Sequence, residues 1–193
     1  KQEAMLGGDA DPAAALRRRA RPTWTRNKRS LMINPGSAAA RPVLEKLIAG
    51  ADVLIEDYRP GVMAVMGLGF EAMAAINPRL IYCAAYGFSE AGRYAGRAAY
   101  DDTIQAAAGL AAAQGADGEP KYINTTIADK VSGLTALYAI LAALYRREKT
   151  GFGETIEVPM FETLVSFVMV EHLYGETFRP ALDTAGYKRV LNK

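Results

Sequence analysis

The sequence predicts an α/β fold with a mainly parallel sheet and flanking helices. Short apolar runs typical of buried strands alternate with longer segments in which apolar residues recur every three or four positions. Glycine and proline mark the joints between these segments. Because strands that alternate with helices are joined by right-handed crossovers, these observations favour a parallel sheet.

The composition limits the classes of protein to consider. The 193 residues are 50% apolar, which is enough for one domain with a real core and excludes wholesale disorder. One cysteine and one histidine exclude an internal disulfide and a Cys-rich or His-rich metal site. The sequence has no uninterrupted apolar run of about 18 to 20 residues and no signal-peptide core. We therefore expect a cytoplasmic protein with no membrane partner, and from the Cys and His counts we expect no metal.

Residues 1–29 are expected to form a basic, loop-rich leader with one short helix around residues 13–20. They carry eight positive and three negative side chains, a net charge of +5, whereas the remaining residues carry 15 and 18, a net charge of −3. Such a cluster is typical of a solvated segment or of a contact with an anionic ligand. The negative remainder, which lacks a nucleic-acid-binding motif, argues against a nucleic-acid partner.

From residue 30 onward the pattern becomes regular, and each element follows from its local signals. Runs of Val, Ile, Leu and Tyr predict strands, helical periodicity predicts helices, and Gly50 and Asn77-Pro78 predict two of the helix ends. The predicted strands are 30–33, 53–55 (apolar and buried), 80–86, 121–125 and 154–158, and the predicted helices are 38–49, 62–66, 70–76, 101–114, 129–149 and 161–173. A glycine-rich loop, 87–96, follows the third strand.

The long helix is the clearest element of the pattern. Within it, Val131, Leu134, Tyr138, Leu141 and Tyr145 recur at spacings of three and four. This spacing places them on one face, which we expect to be buried.

Several common chemistries lack their motifs. There is no G-x-G-x-x-G after a predicted strand and no P-loop, and no serine lies in a G-x-S-x-G turn. The only histidine, His172, falls on an apolar helix face and is expected to be structural.

Polar residues follow the predicted strands, where ligands bind in parallel sheets. Asp129 stands at the start of the long helix, where a carboxylate can cap the helix or act as a nucleophile whose oxyanion is held by free N–H groups. Tyr100 and Asp101 open an earlier helix. Tyr100 can donate a hydrogen bond into a site and Asp101 can orient or cap, although core packing or capping explains each equally well.

In several stretches the chain closely resembles the class III CoA-transferase family, which includes formyl-CoA and carnitine CoA-transferases and the α-methylacyl-CoA racemases. The matching stretches are residues 27–30 (NKRS), 51–62 (ADVLIEDYRPGV), 76–82 (INPRLIY), 99–101 (AYD), 127–129 (IAD), 140–144 (ILAAL) and 149–154 (KTGFGE). Each stretch is weak alone, but their order and spacing together are specific.

The resemblance implies that Asp129 is the catalytic aspartate. In such transferases this carboxylate attacks an acyl-CoA thioester to form a mixed anhydride, and the released CoA thiolate converts the anhydride to an aspartyl-CoA thioester. An acceptor carboxylate then repeats the sequence in reverse. Coenzyme A is a substrate here, and no further cofactor is expected. With Tyr100 and Asp101 shaping the acyl pocket, the implied CoA-binding positions are Ile33, Asp57, Tyr58, Arg59, Val62, Ala98 and Ala128.

The chain departs from the pattern of formyl-CoA transferase at two positions, and a third position distinguishes the transferases from the racemases. Val65 and Ala98 are neutral where formyl-CoA transferase has an arginine and a lysine, so we expect Arg26, Lys28 and Arg29 to contact the phosphates instead. Tyr100 replaces the histidine of the racemases. A tyrosine is a poor proton shuttle near neutral pH, which favours transfer over racemisation.

The resemblance also implies a domain organisation. Residues 30–193 match part of a Rossmann-like large domain, and the small domain of the family is absent. We therefore expect a partial chain that works as an interlocked homodimer or with a complementary chain. The alternatives are an acyl-CoA racemase and a non-catalytic module for CoA binding or oligomerisation.

Overall fold

A computed structural model describes residues 25–115 and 118–186, and the predicted helix at 13–20 lies outside these ranges. The chain divides into two units, one ending at Pro35 and the other beginning at Gly36. In the first unit, residues 30–33 form no strand, so that prediction was wrong. Leu31 and Met32 are exposed there, and apolar residues stabilise a strand when they are buried.

The second unit alternates strands and helices, which confirms the predicted α/β class. Its helices are α1 (Arg41–Ala49), α2 (Val62–Val65), α3 (Phe70–Ile76), α4 (Asp101–Ala107), α5 (Leu110–Gly115), α6 (Ile127–Thr150) and α7 (Met160–Leu173). Its strands are β1 (Val53–Glu56), β2 (Ile81–Tyr86) and β3 (Thr155–Pro159), and short 3₁₀ turns cover Ala38–Ala40 and Tyr174–Thr177.

The three strands form a parallel sheet in the order β1-β2-β3. The central strand β2 is buried on both faces through its first four residues, as an apolar run predicts. In contrast, β1 has only one neighbour in the described sheet, and Ile55 is 62% exposed. The expectation that β1 is wholly buried was therefore wrong at Ile55, because β1 lies at the edge of the sheet formed by the described residues.

Helices cover both faces of the sheet. Successive side chains of β2 point to opposite faces, so both faces must be covered for its apolar residues to be buried. Leu80, Tyr82 and Ala84 pack with α1 and α3 on one face. Ile81 and Cys83 pack on the other face against α6, which contributes Ala136, Ile140 and Ala143. A third apolar cluster joins the first half of α6 to α4 and α7 beyond the carboxyl ends of the strands.

Residues 101–114 form two helices, not the single helix predicted. The break lies at Ala108 and Gly109, where Gly109 adopts a positive φ of 81°. The ring of His172 lies close to Gly109, where an added Cβ would be 3.4 Å from Cε1, but His172 is exposed as a residue.

Residues 121–125 form no strand, so that prediction was also wrong. The segment is irregular, and its backbone pairs with a side chain and a helix carbonyl instead of the sheet. The N–H of Ile123 donates to Oε1 of Gln105 at 2.9 Å, and the N–H of Lys121 donates to the carbonyl of Ala111 at 2.9 Å. These bonds satisfy the groups that a sheet neighbour would otherwise satisfy.

The predicted buried stripe of α6 is exposed, except for Val131. Small and branched residues on the opposite face approach the sheet, and the large residues turn outward. The exposed apolar residues, called here the outer stripe, are Leu134, Leu137, Tyr138, Leu141 and Tyr145.

By length and composition alone α6 is long and apolar enough to cross a membrane. Core helices of soluble proteins pass the same test, and Ala136, Ile140 and Ala143 of α6 are buried against the sheet.

The end of α6 is fixed at the amino edge of the sheet. Arg147 is buried, and its guanidinium donates to Oδ1 of Asp52 at 2.9 Å and to the carbonyl of Arg79 at 3.1 Å. Nearby, Nδ2 of Asn77 donates to the carbonyls of Ile48 and Ala51 at 3.0 and 2.8 Å. Because α6 ends at the amino edge of the sheet, the first turn of α6 lies at the carboxyl edge, where ligands bind in parallel sheets.

Candidate active site

Asp101 joins the first turns of two helices at the carboxyl edge of the sheet. It is the first residue of α4, and its buried Oδ1 accepts hydrogen bonds from the backbone N–H groups of Ala128 at 2.7 Å and Asp129 at 3.2 Å. Asp101 therefore caps α6, a helix 26 residues further along the chain. A carboxylate at this position also interacts favourably with the helix dipole.

The four N–H groups that open α6 are all occupied. In addition to the two bonds to Asp101, Ile127 donates to the carbonyl of Thr125 at 2.8 Å and Lys130 donates to the carbonyl of Thr126 at 3.1 Å. These N–H groups, which the sequence suggested as possible donors to an oxyanion, are already hydrogen-bonded to Asp101 and to the preceding loop.

Asp129 lies in the first turn of α6 but does not cap it. Among residues 25–115 and 118–186, no side chain or backbone group donates a hydrogen bond to its carboxylate. Although Asp129 is exposed as a residue, partial desolvation and then the negative charge of Asp101 raise the pKa of its carboxyl group. A carboxylate without donors and with a raised pKa is a better nucleophile than a capping carboxylate.

The Asp101 carboxylate is held from its other side by Gln105. Nε2 of Gln105 donates to Oδ2 of Asp101 at 2.6 Å. The sequence analysis missed this glutamine. The four-residue spacing places Asp101 and Gln105 on one face of a helix and was the available signal.

The loop before α4 brings Tyr100 and Asp101 to the sheet edge. Ala99 stands directly against Gly87, the residue after β2, where an added Cβ would lie 2.2 Å from the Cβ of Ala99. Tyr100 is 76% exposed, so the core-packing explanation of this tyrosine is excluded. Ala98 is exposed and Ala128 is fully buried.

A second group of predicted residues follows β1 at the same edge. Asp57, Tyr58, Arg59 and Val62 are all exposed. The buried Glu56 orders this turn, because its Oε2 accepts the N–H of Tyr58 at 2.8 Å.

The buried Glu56 also interacts electrostatically with Tyr86, which follows it on the neighbouring strand β2. Burial raises the pKa of Glu56, and burial together with the negative charge of Glu56 raises the pKa of Tyr86 to about 12. At neutral pH the Tyr86 hydroxyl therefore stays protonated.

The remaining predicted positions, Arg26, Lys28, Arg29 and Ile33, lie in the first unit. The site described here is built from the second unit alone. Val65, the neutral position noted in the sequence, is 90% exposed on α2. Within residues 25–115 and 118–186, His, Cys, Asp and Glu side chains form no cluster that could hold a metal ion.

The fold and the site together define an α/β protein. At the carboxyl edge of its parallel sheet, the Asp129 carboxylate lies in the first turn of a helix and accepts no hydrogen bond from the described residues. Residues 10–188 match the model of CoA-transferase family III. The chain belongs to this family, which confirms the resemblance read from its motifs.

Curated relatives with transferase names support the same assignment. The acetyl-CoA:oxalate CoA-transferase of Acetobacter aceti is 39% identical over 145 residues, covering 74% of this chain and 37% of the relative. The formyl-CoA:oxalate CoA-transferase of Escherichia coli is 38% identical over 146 residues, covering 75% and 35%. The chain thus spans little more than a third of the length of these relatives.

A solved structure has the same fold. A CaiB/BaiF family protein from Brucella suis superposes with a TM-score of 0.76 at 34% sequence identity, covering 84% of this chain and 43% of that protein.

Proposed function

We propose that this chain is the part of a class III CoA-transferase that carries its nucleophile, Asp129. The enzyme would move coenzyme A from an acyl-CoA donor to a carboxylic acid. The observation that carries the proposal is the Asp129 carboxylate, which lies in the first turn of α6 and is left without a donor because Asp101 does the capping. Its raised pKa supports nucleophilic attack.

The chemistry proceeds in balanced steps. An Asp129 oxygen attacks the thioester carbonyl carbon, the C–S bond breaks, and CoA leaves as a thiolate. The thiolate then attacks the carbonyl carbon of the Asp129 side chain, and the donor acid leaves with the bridging oxygen. The acceptor carboxylate attacks the carbonyl carbon of the resulting aspartyl-CoA thioester, the C–S bond breaks, and CoA leaves again as a thiolate. The thiolate finally attacks the acceptor acyl carbon of this second mixed anhydride, and the Asp129 carboxylate leaves with the bridging oxygen.

Each tetrahedral step needs a hydrogen-bond donor for its oxyanion. Since the first-turn N–H groups of α6 are occupied, we assign this role to a donor outside that turn. Tyr100 is the candidate within the described site, because it adjoins Asp101 and its hydroxyl has no hydrogen-bond partner among residues 25–115 and 118–186. A tyrosine at this position also favours transfer over the racemisation alternative.

The turn after β1 is proposed to seat the CoA donor. Tyr58 and Arg59 are exposed beyond the carboxyl end of β1, and Glu56 fixes the backbone of Tyr58. An exposed guanidinium suits a phosphate group. Oxalate, which appears in the names of both relatives, is the first acceptor to test.

The active form is proposed to be a homodimer. The outer stripe of α6 supports this, because five large apolar residues on one helix face, each more than half exposed, are typical of a surface that another protein covers. We expect sedimentation to detect a dimer that is lost when Leu141 is replaced by Glu. A monomeric wild-type protein would contradict this part of the proposal.

The chemical test is to trap the intermediate. The assembly that contains this chain is incubated with acetyl-CoA, quenched in acid and digested for mass spectrometry. We expect a CoA adduct on the peptide that contains Asp129, and its loss together with CoA exchange in Asp129→Asn. The control Asp102→Asn changes an exposed neighbouring carboxylate and should retain both. Turnover without an adduct would refute the role of Asp129.

A further inference from the structure

Gln105 is a fully buried polar side chain whose whole amide group is hydrogen-bonded. Its Nε2 donates to Oδ2 of Asp101 at 2.6 Å and to the carbonyls of Ile123 and Thr125, both at 3.3 Å. Its Oε1 accepts the N–H of Ile123 at 2.9 Å. One side chain therefore ties α4 to the loop that leads into α6.

This arrangement controls which carboxylate occupies the start of α6. Oδ2 of Asp101 is held by Gln105, while Oδ1 accepts the N–H groups of Ala128 and Asp129. If Asp101 moved away, those two N–H groups would lose their partner. Asp129 is the acidic residue in that first turn, and a carboxylate there can accept first-turn N–H bonds.

We propose that Gln105 is a positioning residue for Asp129: by holding Asp101 on the first-turn N–H groups, it prevents Asp129 from capping its own helix. The inference rests on the proposed function only for the use made of Asp129. A carboxylate that accepts backbone N–H bonds is stabilised as the anion, which makes it a weaker base and a weaker nucleophile. Gln105 would thus keep the nucleophile reactive without touching the substrate.

The charged groups around Asp129 can be named. Asp101 faces it from α4 and is the charged group that raises its pKa. The adjacent Lys130 is hydrogen-bonded through its ammonium group to the hydroxyl of Thr125. If Asp101 moves away from the start of α6, its negative charge moves away from Asp129. The N–H groups of Ala128 and Asp129 also become free to donate to the Asp129 carboxylate. Both changes lower the pKa of Asp129.

The test compares Gln105→Met, which keeps the size of the side chain and removes its hydrogen bonds, with Gln114→Met at an exposed glutamine of α5. Carbon-13 NMR of the side-chain carboxyl groups follows the titration of Asp129 in this chain, without substrate and without the active assembly. We expect Asp129 to titrate at lower pH in Gln105→Met than in wild type or Gln114→Met. Amide exchange at Ala128 and Asp129 should become about tenfold faster, as the loss of a helix cap predicts.

Gln105→Glu keeps the inference falsifiable if Gln105→Met does not fold. The introduced carboxylate retains the acceptor for Ile123 but, when ionised, repels Asp101 and cannot donate to it. We expect fast amide exchange at Ala128 and Asp129 near neutral pH, after correction for the intrinsic rate. Protection should return when acid protonates the introduced carboxylate and its O–H can donate to Asp101. A role limited to filling space predicts no such recovery.

In the active assembly, Gln105→Met should lower kcat about tenfold or more with less than a twofold change in KM for the acyl-CoA. Unchanged titration and amide exchange in Gln105→Met would overturn the inference, as would Gln105→Glu with equal protection at both pH values. These readouts do not require acylation of Asp129. A missing CoA adduct would refute the proposed function alone.

Discussion

Replacing Asp101 with alanine tests whether this carboxylate holds the start of α6. The substitution removes a cap with two N–H donors, which typically costs about 1 kcal/mol. It also removes the charged partner of the buried Gln105 amide, which costs about 1.5 to 3 kcal/mol. Relief of repulsion with Asp129 offsets up to about 1 kcal/mol. The net expected loss is about 2 kcal/mol of unfolding free energy.

The assay is urea unfolding followed by far-ultraviolet circular dichroism, with stability taken from the midpoint and slope. The matched control is Asp102→Ala, because Asp102 is exposed, lies in the same first turn of α4 and is an acidic residue of the same size. We expect the control to change stability by less than about 0.5 kcal/mol. Equal midpoints for the two variants would refute the assignment of Asp101 as the cap of α6.

Three further predictions concern other parts of the structure. Gly153→Ala should lower the free energy of unfolding by about 3 kcal/mol in urea, because the added Cβ would lie 2.0 Å from the backbone carbonyl oxygen of Leu80. The control Gly133→Ala should raise it by up to about 1 kcal/mol, because the added Cβ would meet no atom within 4 Å and alanine favours the helix. The same loss for both would contradict the close approach. Asp129→Asn should stabilise the fold at neutral pH by up to about 1 kcal/mol. A raised carboxyl pKa favours the folded state below the unfolded value and loses that contribution as pH rises through the folded value. Thermal unfolding at pH 3 and pH 7 checks this, and a variant no more stable than wild type at pH 7 would disprove it. Arg147→Met should cost about 2 kcal/mol in unfolding free energy and Arg146→Met less than about 1 kcal/mol, because only the first guanidinium is buried. Equal losses would show that burial does not matter here.

Most of the elements follow from local patterns in the sequence. The strand β2 and the helix α3 were predicted within one residue, because an apolar run and an Asn-Pro stop are local signals. Segment 121–125 was wrongly assigned to a strand because strand-forming residues also need a backbone partner in space. Here the partner is the side chain of Gln105, which lies 18 residues before Ile123.

The two faces of α6 could not be distinguished by hydropathy. Both are apolar, and the face with large residues was taken as the buried one. The sheet instead receives Ala136, Ile140 and Ala143, because small side chains allow the helix to approach the strands closely. The sequence therefore predicted the helix and its length but assigned the wrong face to the core.

The candidate site was predicted in part. The motif residues Asp129 and Asp101 do meet, through the N–H groups of the first turn of α6. Which carboxylate caps the helix depends on a contact between residues 28 positions apart, so capping rules applied to the local sequence left both roles of Asp129 open.

The outer stripe of α6 has a practical consequence for handling the protein. With five large apolar side chains in contact with water, a monomer of the chain should be retained by a hydrophobic-interaction column and should enhance the fluorescence of an apolar dye, even when fully folded, whereas the proposed dimer should not. Such adsorption during purification would come from a correctly folded α6 whose outer stripe is uncovered. It should be reduced by conditions that favour the dimer and not by refolding.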